Sequence, residues 1–203
     1  MRPKSKVKFV EHLLKIRPLV VIAWSFTPRF ISEFALKIFR NSEGSWAFGL
    51  RYLCLNRLAK QCGEKVIIFP NVFLRNINRL SVGTNVSIHE MAYIDSFGEI
   101  TIGNNVAISH GVSIVSFDHD IAHDPTNFKD CPPICGKIIV GDNVWIGAGA
   151  RILKGVSVGE DSILAAGCVI RKSCNPLSIM GGIPAELVKR ISGELCQETD
   201  KKE

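Results

Sequence analysis

Between residues 66 and 180 the sequence lacks the two periods of ordinary secondary structure, 3.6 for a helix and 2 for a half-exposed strand. That absence excludes a helical bundle or an alternating sheet over most of the chain. Also missing is an apolar run of the ~20 residues that a bilayer-spanning helix needs. The most apolar stretch, Pro18 to Phe26, is too short, and no transmembrane helix is expected. No clean apolar segment with a small-residue cleavage site follows the basic start, which runs into Glu11 and His12, so a cleaved leader is not expected. The seven cysteines, Cys54, Cys62, Cys131, Cys135, Cys168, Cys174 and Cys196, are an odd number without paired metal-ligand spacing, and a reducing cytoplasm suits them. Cys131 and Cys135 bracket Pro132 and Pro133 in a loop, a spacing that by itself is a weak signal for zinc or redox chemistry. The net charge of +6 suits a polyanionic ligand, a phosphorylated cofactor or an anionic membrane without choosing among them, and nucleic acid is not an expected partner.

In place of those periods the chain has one of six. Val140, Ile146, Ile152, Val158, Leu164 and Ile170 recur at every sixth position, and Val144, Ala150, Val156, Ser162, Cys168 and Cys174 follow each by four. Two inward positions per hexad describe a coil with flat sides. The register runs backwards through Ile114, Ile108 and Ile102, then Ile94, Ile88 and Val82, and more loosely through Val72 and Val66. Two extra residues near Phe97 and Gly98 shift the frame by eight, and the step from Ile114 to Val140 is four hexads plus two. Gly83, Gly103, Gly141, Gly147 and Gly159 each follow an aliphatic position, with Asn85, Asn105 and Asn143 nearby, where corners need tight or left-handed backbone. Three hexads per turn predict a triangular prism whose strands pair with those of the next coil, about 4.8 Å away. Such a solenoid needs its ends covered, and its open sides favour association.

Residues 1 to 62 differ in kind and are read as two or three short helices. Phe30, Ile31, Phe34, Ile38 and Phe39 fall near helical spacing, and Arg51, Arg57 and Lys60 alternate with leucines. Two readings fit this segment: a cap over the first coil, or a basic amphipathic surface resting on an anionic membrane. Residues 63 to 191 are the predicted solenoid, interrupted by a loop over 117 to 137. After the break at Gly181 to Pro184, Ala185 to Ile191 is predicted as a short helix, followed by a polar tail over 192 to 203.

The loop opens with Phe117-Asp118-His119-Asp120, then His123 and Asp124. A histidine flanked by carboxylates suits general base work, although a solvated polar loop has the same composition. The run Ile139 to Ala150, with Val144-Trp145-Ile146-Gly147, then Ile152 to Gly159 and the closing Gly182-Ile183-Pro184-Ala185, resembles the hexapeptide acyltransferases. Within them it is most similar to the galactoside, maltose and surface-polysaccharide O-acetyltransferase branch. The likeness covers roughly residues 63 to 191, and Leu50 to Leu53 resembles the capsule and O-antigen members.

The resemblance implies a left-handed parallel β-helix, a homotrimer with active sites between adjacent prisms, acetyl-CoA as donor and a sugar hydroxyl as acceptor, free or lipid-linked. By position His119 falls on the family's catalytic histidine, with His123 second, while Asp118 or Asp120 could orient the ring or meet the acceptor. The backbone N–H of Ala148 falls where the family stabilises the oxyanion. Trp145, Ala148, Ala166, Gly167, Gly182 and Pro184 line the implied CoA groove, and Arg171, Lys172 and Lys189 lie where phosphates are met. Glu186 departs from the pattern, standing where relatives place arginine. His89, Tyr93 and Asp95 are the acceptor-side candidates, or else corner residues, and His110 reads as a corner residue. Other acceptors, such as a small free saccharide or a nucleotide amino sugar, are alternatives within the same chemistry. A different class is a zinc enzyme of the γ-carbonic anhydrase type, which carries metal on three histidines at subunit interfaces; the Gly182 to Ala185 signature points away from it, and no metal is expected.

Overall fold

A computed structural model describes residues 19–121 and 126–191. The chain winds as a parallel β-solenoid with three walls. The first wall holds β1 (Gln61–Cys62), β4 (Leu80–Val82), β7 (Ile100–Ile102), β12 (Ile138–Val140) and β15 (Ser157–Val158). The second holds β2 (Ile67–Ile68), β5 (Ser87–Ile88), β8 (Ala107–Ile108), β13 (Trp145–Ile146), β16 (Ile163–Leu164) and β18 (Ser178–Gly182). The third holds β3 (Phe73–Arg75), β6 (Tyr93–Asp95), β9 (Ser113–Val115), β14 (Arg151–Ile152) and β17 (Val169–Ile170). Strands this short persist because each pairs in parallel with a copy of itself one coil away, so backbone bonds are satisfied between coils.

The six-residue spacing becomes the core directly. Val140, Ile146, Ile152, Val158, Leu164 and Ile170 are all at most 2% exposed, and they stack on Ile102, Ile108 and Ile114 of the coil below. Each such side chain stabilises the prism by about 1.5–3 kcal/mol relative to exposure. Val82 pairs with Ile102 twenty positions on, whereas Val140 pairs with Val158 only eighteen on. The two extra residues in the lower coils sit at the corner between third and first walls. There Asp95 accepts bonds from Asn76 Nδ2 at 2.7 Å and from the N–H of Phe97 at 3.2 Å.

At the corner between the first and second walls, glycine and asparagine divide the work. Asn85, Asn105 and Asn143 carry the left-handed backbone, at φ 60, 57 and 54. Gly83 does not; a Cβ there would lie 2.6 Å from the carbonyl oxygen of Gly103, so it is the spacing of coils that demands glycine.

Two elements depart from expectation. Ala185–Arg190 is not a helix but a strand, β19, which turns back antiparallel onto β18. Six residues are too few to offset the cost of nucleating a helix, while the edge of β18 offers a row of backbone partners. The segment 117–137 is not an irregular loop throughout. Its base is a hairpin of β10 (Phe117–His119) and β11 (Pro133–Cys135), in which His119 pairs with Pro133.

Ahead of the solenoid lie α1 (Leu19–Ser25), α2 (Arg29–Ile38) and α3 (Ser45–Leu58). No single described helix is long and apolar enough to cross a membrane. α3 lies against the first coil, with Leu55 and Leu58 buried and Leu55 joined to the solenoid core. Arg51, whose alternation with leucines suggested a charged face, is 2% exposed. Its Nε donates to the carbonyl of Ile68 at 2.8 Å and its Nη1 to those of Ser42 and Phe39, so it ties α3 and the helix connection to the first coil. Strand β1 places the start of the solenoid at Gln61, just ahead of the boundary read from sequence. The tail over 192–203, and the candidates His123 and Asp124, lie outside the described residues.

Candidate functional site

His119 ends β10, three residues out from Ser116, where the arm leaves the corner between third and first walls. That places it about 10 Å from the prism. Its Nδ1 lies 3.0 Å from the carbonyl oxygen of Cys131. A carbonyl can only accept, so Nδ1 carries the hydrogen and the neutral ring presents Nε2 as a proton acceptor. Cys131 is itself fixed: it is 4% exposed, and its N–H donates to the carbonyl of Phe128 across a short 3-10 turn, Phe128–Asp130. The carboxylate of Asp118 accepts from the backbone N–H of His119 at 2.8 Å, and the N–H of Asp120 donates to the carbonyl of Pro132. The ring contact at Nδ1 is therefore made by a backbone carbonyl. The sequence marks Cys131 only by its thiol, because a carbonyl that holds a ring twelve residues away leaves no side-chain signature.

The groove candidates gather elsewhere, at the corner between second and third walls. Glu90, His110, Ala148 and Ala166 occupy equivalent places there in successive coils, each followed by a residue of positive φ, Met91, Gly111, Gly149 and Gly167. The N–H groups of Gly147 and Gly149 donate to the carbonyls of Leu164 and His110, while that of Ala148 has no acceptor among the described residues. Glu90, His110 and Ala166 present such an N–H at this corner too, whereas Pro70 of the first coil has none to present. Only at Ala148 and Ala166 are the side chains small enough to let another molecule reach it. Beside them the outer row of the second wall runs Trp145, Ile163, Ile179 and Lys189 through consecutive pairings. Trp145 is 55% exposed, and its Nε1 donates to Ser109 Oγ at 3.2 Å. Gly182 and Pro184 form the β18–β19 turn above this row, with the Ile183–Pro184 bond cis. Arg171 and Lys172 are exposed, but they sit at the next corner, after β17, and not over Ala148.

The acceptor-side candidates separate by environment. His89 stacks on Phe69 with ring centroids 4.3 Å apart and lies 3.8 Å from Glu90. Asp95 is 5% exposed, and its oxygens take the corner bonds described above together with one from the Tyr93 hydroxyl at 3.3 Å. Burial first, and then the charge of Asp95, hold the Tyr93 phenol above its ordinary pKa, so it remains the donor. Among the described residues no three His, Cys, Asp or Glu side chains gather as a metal site.

The prism of hexads has counterparts among known proteins. Residues 137–172 match the family described as bacterial transferase hexapeptide (six repeats). A Staphylococcus aureus protein named as an acetyltransferase is 39% identical over 64 residues, which is 32% of this chain and 32% of that protein. The chain thus matches about a third of the length of such curated relatives. Over its whole fold it is similar to the maltose O-acetyltransferase of Clostridium difficile 630, at TM-score 0.73 and 25% identity, covering 81% of this chain and 86% of that one. It is similar to the same degree to a galactoside acetyltransferase solved with coenzyme A, with 81% and 80% covered. The repeat and the fold are those of the hexapeptide-repeat acetyltransferases.

Proposed function

We propose that the chain is an acetyl-CoA-dependent O-acetyltransferase acting on a sugar hydroxyl in bacterial surface polysaccharide synthesis, in the cytoplasm where acyl-CoA thioesters are formed. The observation that carries this reading is the contact of His119 Nδ1 with the Cys131 carbonyl. With Nδ1–H committed to Cys131, Nε2 can take the proton of a hydroxyl too weakly acidic to ionise near neutrality. The hydroxyl oxygen then attacks the thioester carbonyl directly, and the N–H of Ala148 stabilises the oxyanion. Collapse breaks the C–S bond, and the imidazolium returns its proton to the departing sulfur. No covalent enzyme intermediate is needed. The apolar row Trp145, Ile163 and Ile179 suits a pantetheine arm, with Lys189 at its end for a phosphate.

The same reading includes a homotrimer. The arm bearing His119 and the corner bearing Ala148 lie at opposite ends of the third wall, so a site using both draws on two chains. Exposed Trp145, Ile139 and Leu153 on the walls favour such contact.

The test is thiol release from acetyl-CoA with a panel of free sugars, nucleotide amino sugars and lipid-linked oligosaccharides. Turnover with hydroxyl acceptors is expected, and His119→Ala should lower kcat by about 10²–10⁴-fold with CoA affinity retained. Turnover confined to amino acceptors, or full activity in His119→Ala, overturns the assignment.

A further inference from the structure

The whole net charge of the protein resides in its first forty residues. They hold nine Lys or Arg against two Asp or Glu, whereas the remaining chain holds sixteen against seventeen. Within the described part of that segment, α1 and α2 form a bent pair, at 110° to one another, and only the two together have the length and apolar composition of a membrane-crossing segment.

The inner faces of this pair are tied to the body. Ser32 and Ala35 are buried against α3, and Trp24 Nε1 donates to Ser32 Oγ at 3.1 Å. Arg29 donates to the carbonyl of Leu58, and Arg57 to that of Thr27. The outer faces have no such cover among the described residues. Phe26 is 82% exposed, Phe30 68% and Phe34 63%, with Leu19, Ile22 and Ile38 more than half exposed. Phe30, Phe34 and Ile38 follow one another at four-residue steps on a single face of α2. On the adjoining flank, Arg29 and Lys37 line a cavity of about 660 Å³ between α2 and the lower coils, together with Glu33. Three aromatic rings at the bend, with cations beside them, are the arrangement of an interfacial wedge, in which rings enter the acyl boundary while cations meet headgroup phosphates.

We infer that the outer face of α1–α2 docks the protein on an anionic lipid bilayer, with Phe26, Phe30 and Phe34 as its inserted residues. A second copy of this chain is the rival occupant, but pairing two such segments would bring together nine cations against two acidic residues from each chain, whereas an anionic surface complements them.

The test is flotation of the full-length protein with vesicles of 3:1 phosphatidylcholine and phosphatidylglycerol, and with pure phosphatidylcholine. The protein should float with the anionic vesicles, at least tenfold less with the neutral ones, and less again in high salt. The variant carrying Phe26→Ser, Phe30→Ser and Phe34→Ser should lose at least tenfold in bound fraction while keeping its far-ultraviolet spectrum and thiol release with a soluble sugar. If that variant misfolds, Phe30→Ser alone should give a smaller loss of the same sign. Failure of the native protein to float, or a triple variant that still floats but changes its oligomeric mass, overturns the inference. Flotation needs no turnover, so its failure leaves the acetyl-transfer reading untouched.

Discussion

At the scale of single residues, burial decides more than residue type. Cys54 lies fully buried in α3, and burial pushes its thiol up to about 11 from an ordinary 9.0. The folded state therefore holds this proton more tightly than the unfolded chain does. Its contribution is fully present below pH 9, falls as pH rises from there toward 11, and amounts to about 2–3 kcal/mol. Cys54→Ala should flatten the loss of Tm between pH 9 and 11 relative to the native protein, whatever it costs at pH 7; parallel curves would show that the thiol has no part in it. The same distinction between type and surroundings limits what could be read in the site. His119 is legible from its position after the repeat breaks, but its orientation is not, since the neighbouring aspartates suggest a carboxylate and the bond is made by the Cys131 carbonyl. Arg51 shows the converse: the alternation of basic residues with leucines points outward, and three backbone carbonyls draw it inward.

At the scale of elements, the hexads were legible because the constraint that forms them is periodic. An inward position in one coil lies under the same position in the next, so a single rule governs Val82, Ile102, Val140 and Val158 alike. Where the rule stops, local sequence no longer determines the pairing. Ala185–Arg190 has a composition that suits a helix, and its conformation is set by the β18 edge, a partner that local sequence does not reveal. The hairpin at 117–135 was equally hidden, since its antiparallel pairs, Phe117 with Cys135, Asp118 with Ile134 and His119 with Pro133, have no constant separation for a repeat to show. Its base is packed on Gly98. A Cβ there would strike the carbonyl oxygen of Ser116 and come within 2.9 Å of the Gly136 nitrogen, all backbone that cannot swing away. Gly98→Ala should therefore cost about 1–3 kcal/mol in stability. Because the strain falls at the root of the arm that carries His119, kcat should drop while the Kd for CoA, measured by calorimetry, stays within about twofold. A folded variant with normal kcat would show that the root does not position the histidine.

At the scale of the whole molecule, the solenoid is a rigid ruler that keeps its chemical groups apart. The parallel ladder fixes Ala148 at one corner and the root of the arm at another, and a wall of paired backbone between them cannot fold to bring the two together. The proposed reaction, however, needs both at one carbonyl carbon, so rigidity itself favours a site shared between chains. Complementation can test this. His119→Ala removes the base, and Ala148→Trp fills the groove at the other corner, so each variant alone should be inactive. In oligomers formed by co-refolding the two at equal amounts, a shared site regains one intact base and one open groove wherever the variants meet in the right order. By random mixing that is about a quarter of the sites. Recovery of about a quarter of native turnover, absent when the two are mixed without refolding, is the expected result. If the co-refolded mixture stays inactive while its mass shows mixed oligomers, each chain holds its own complete site, and the arm must reach Ala148 by a movement that the ladder does not provide.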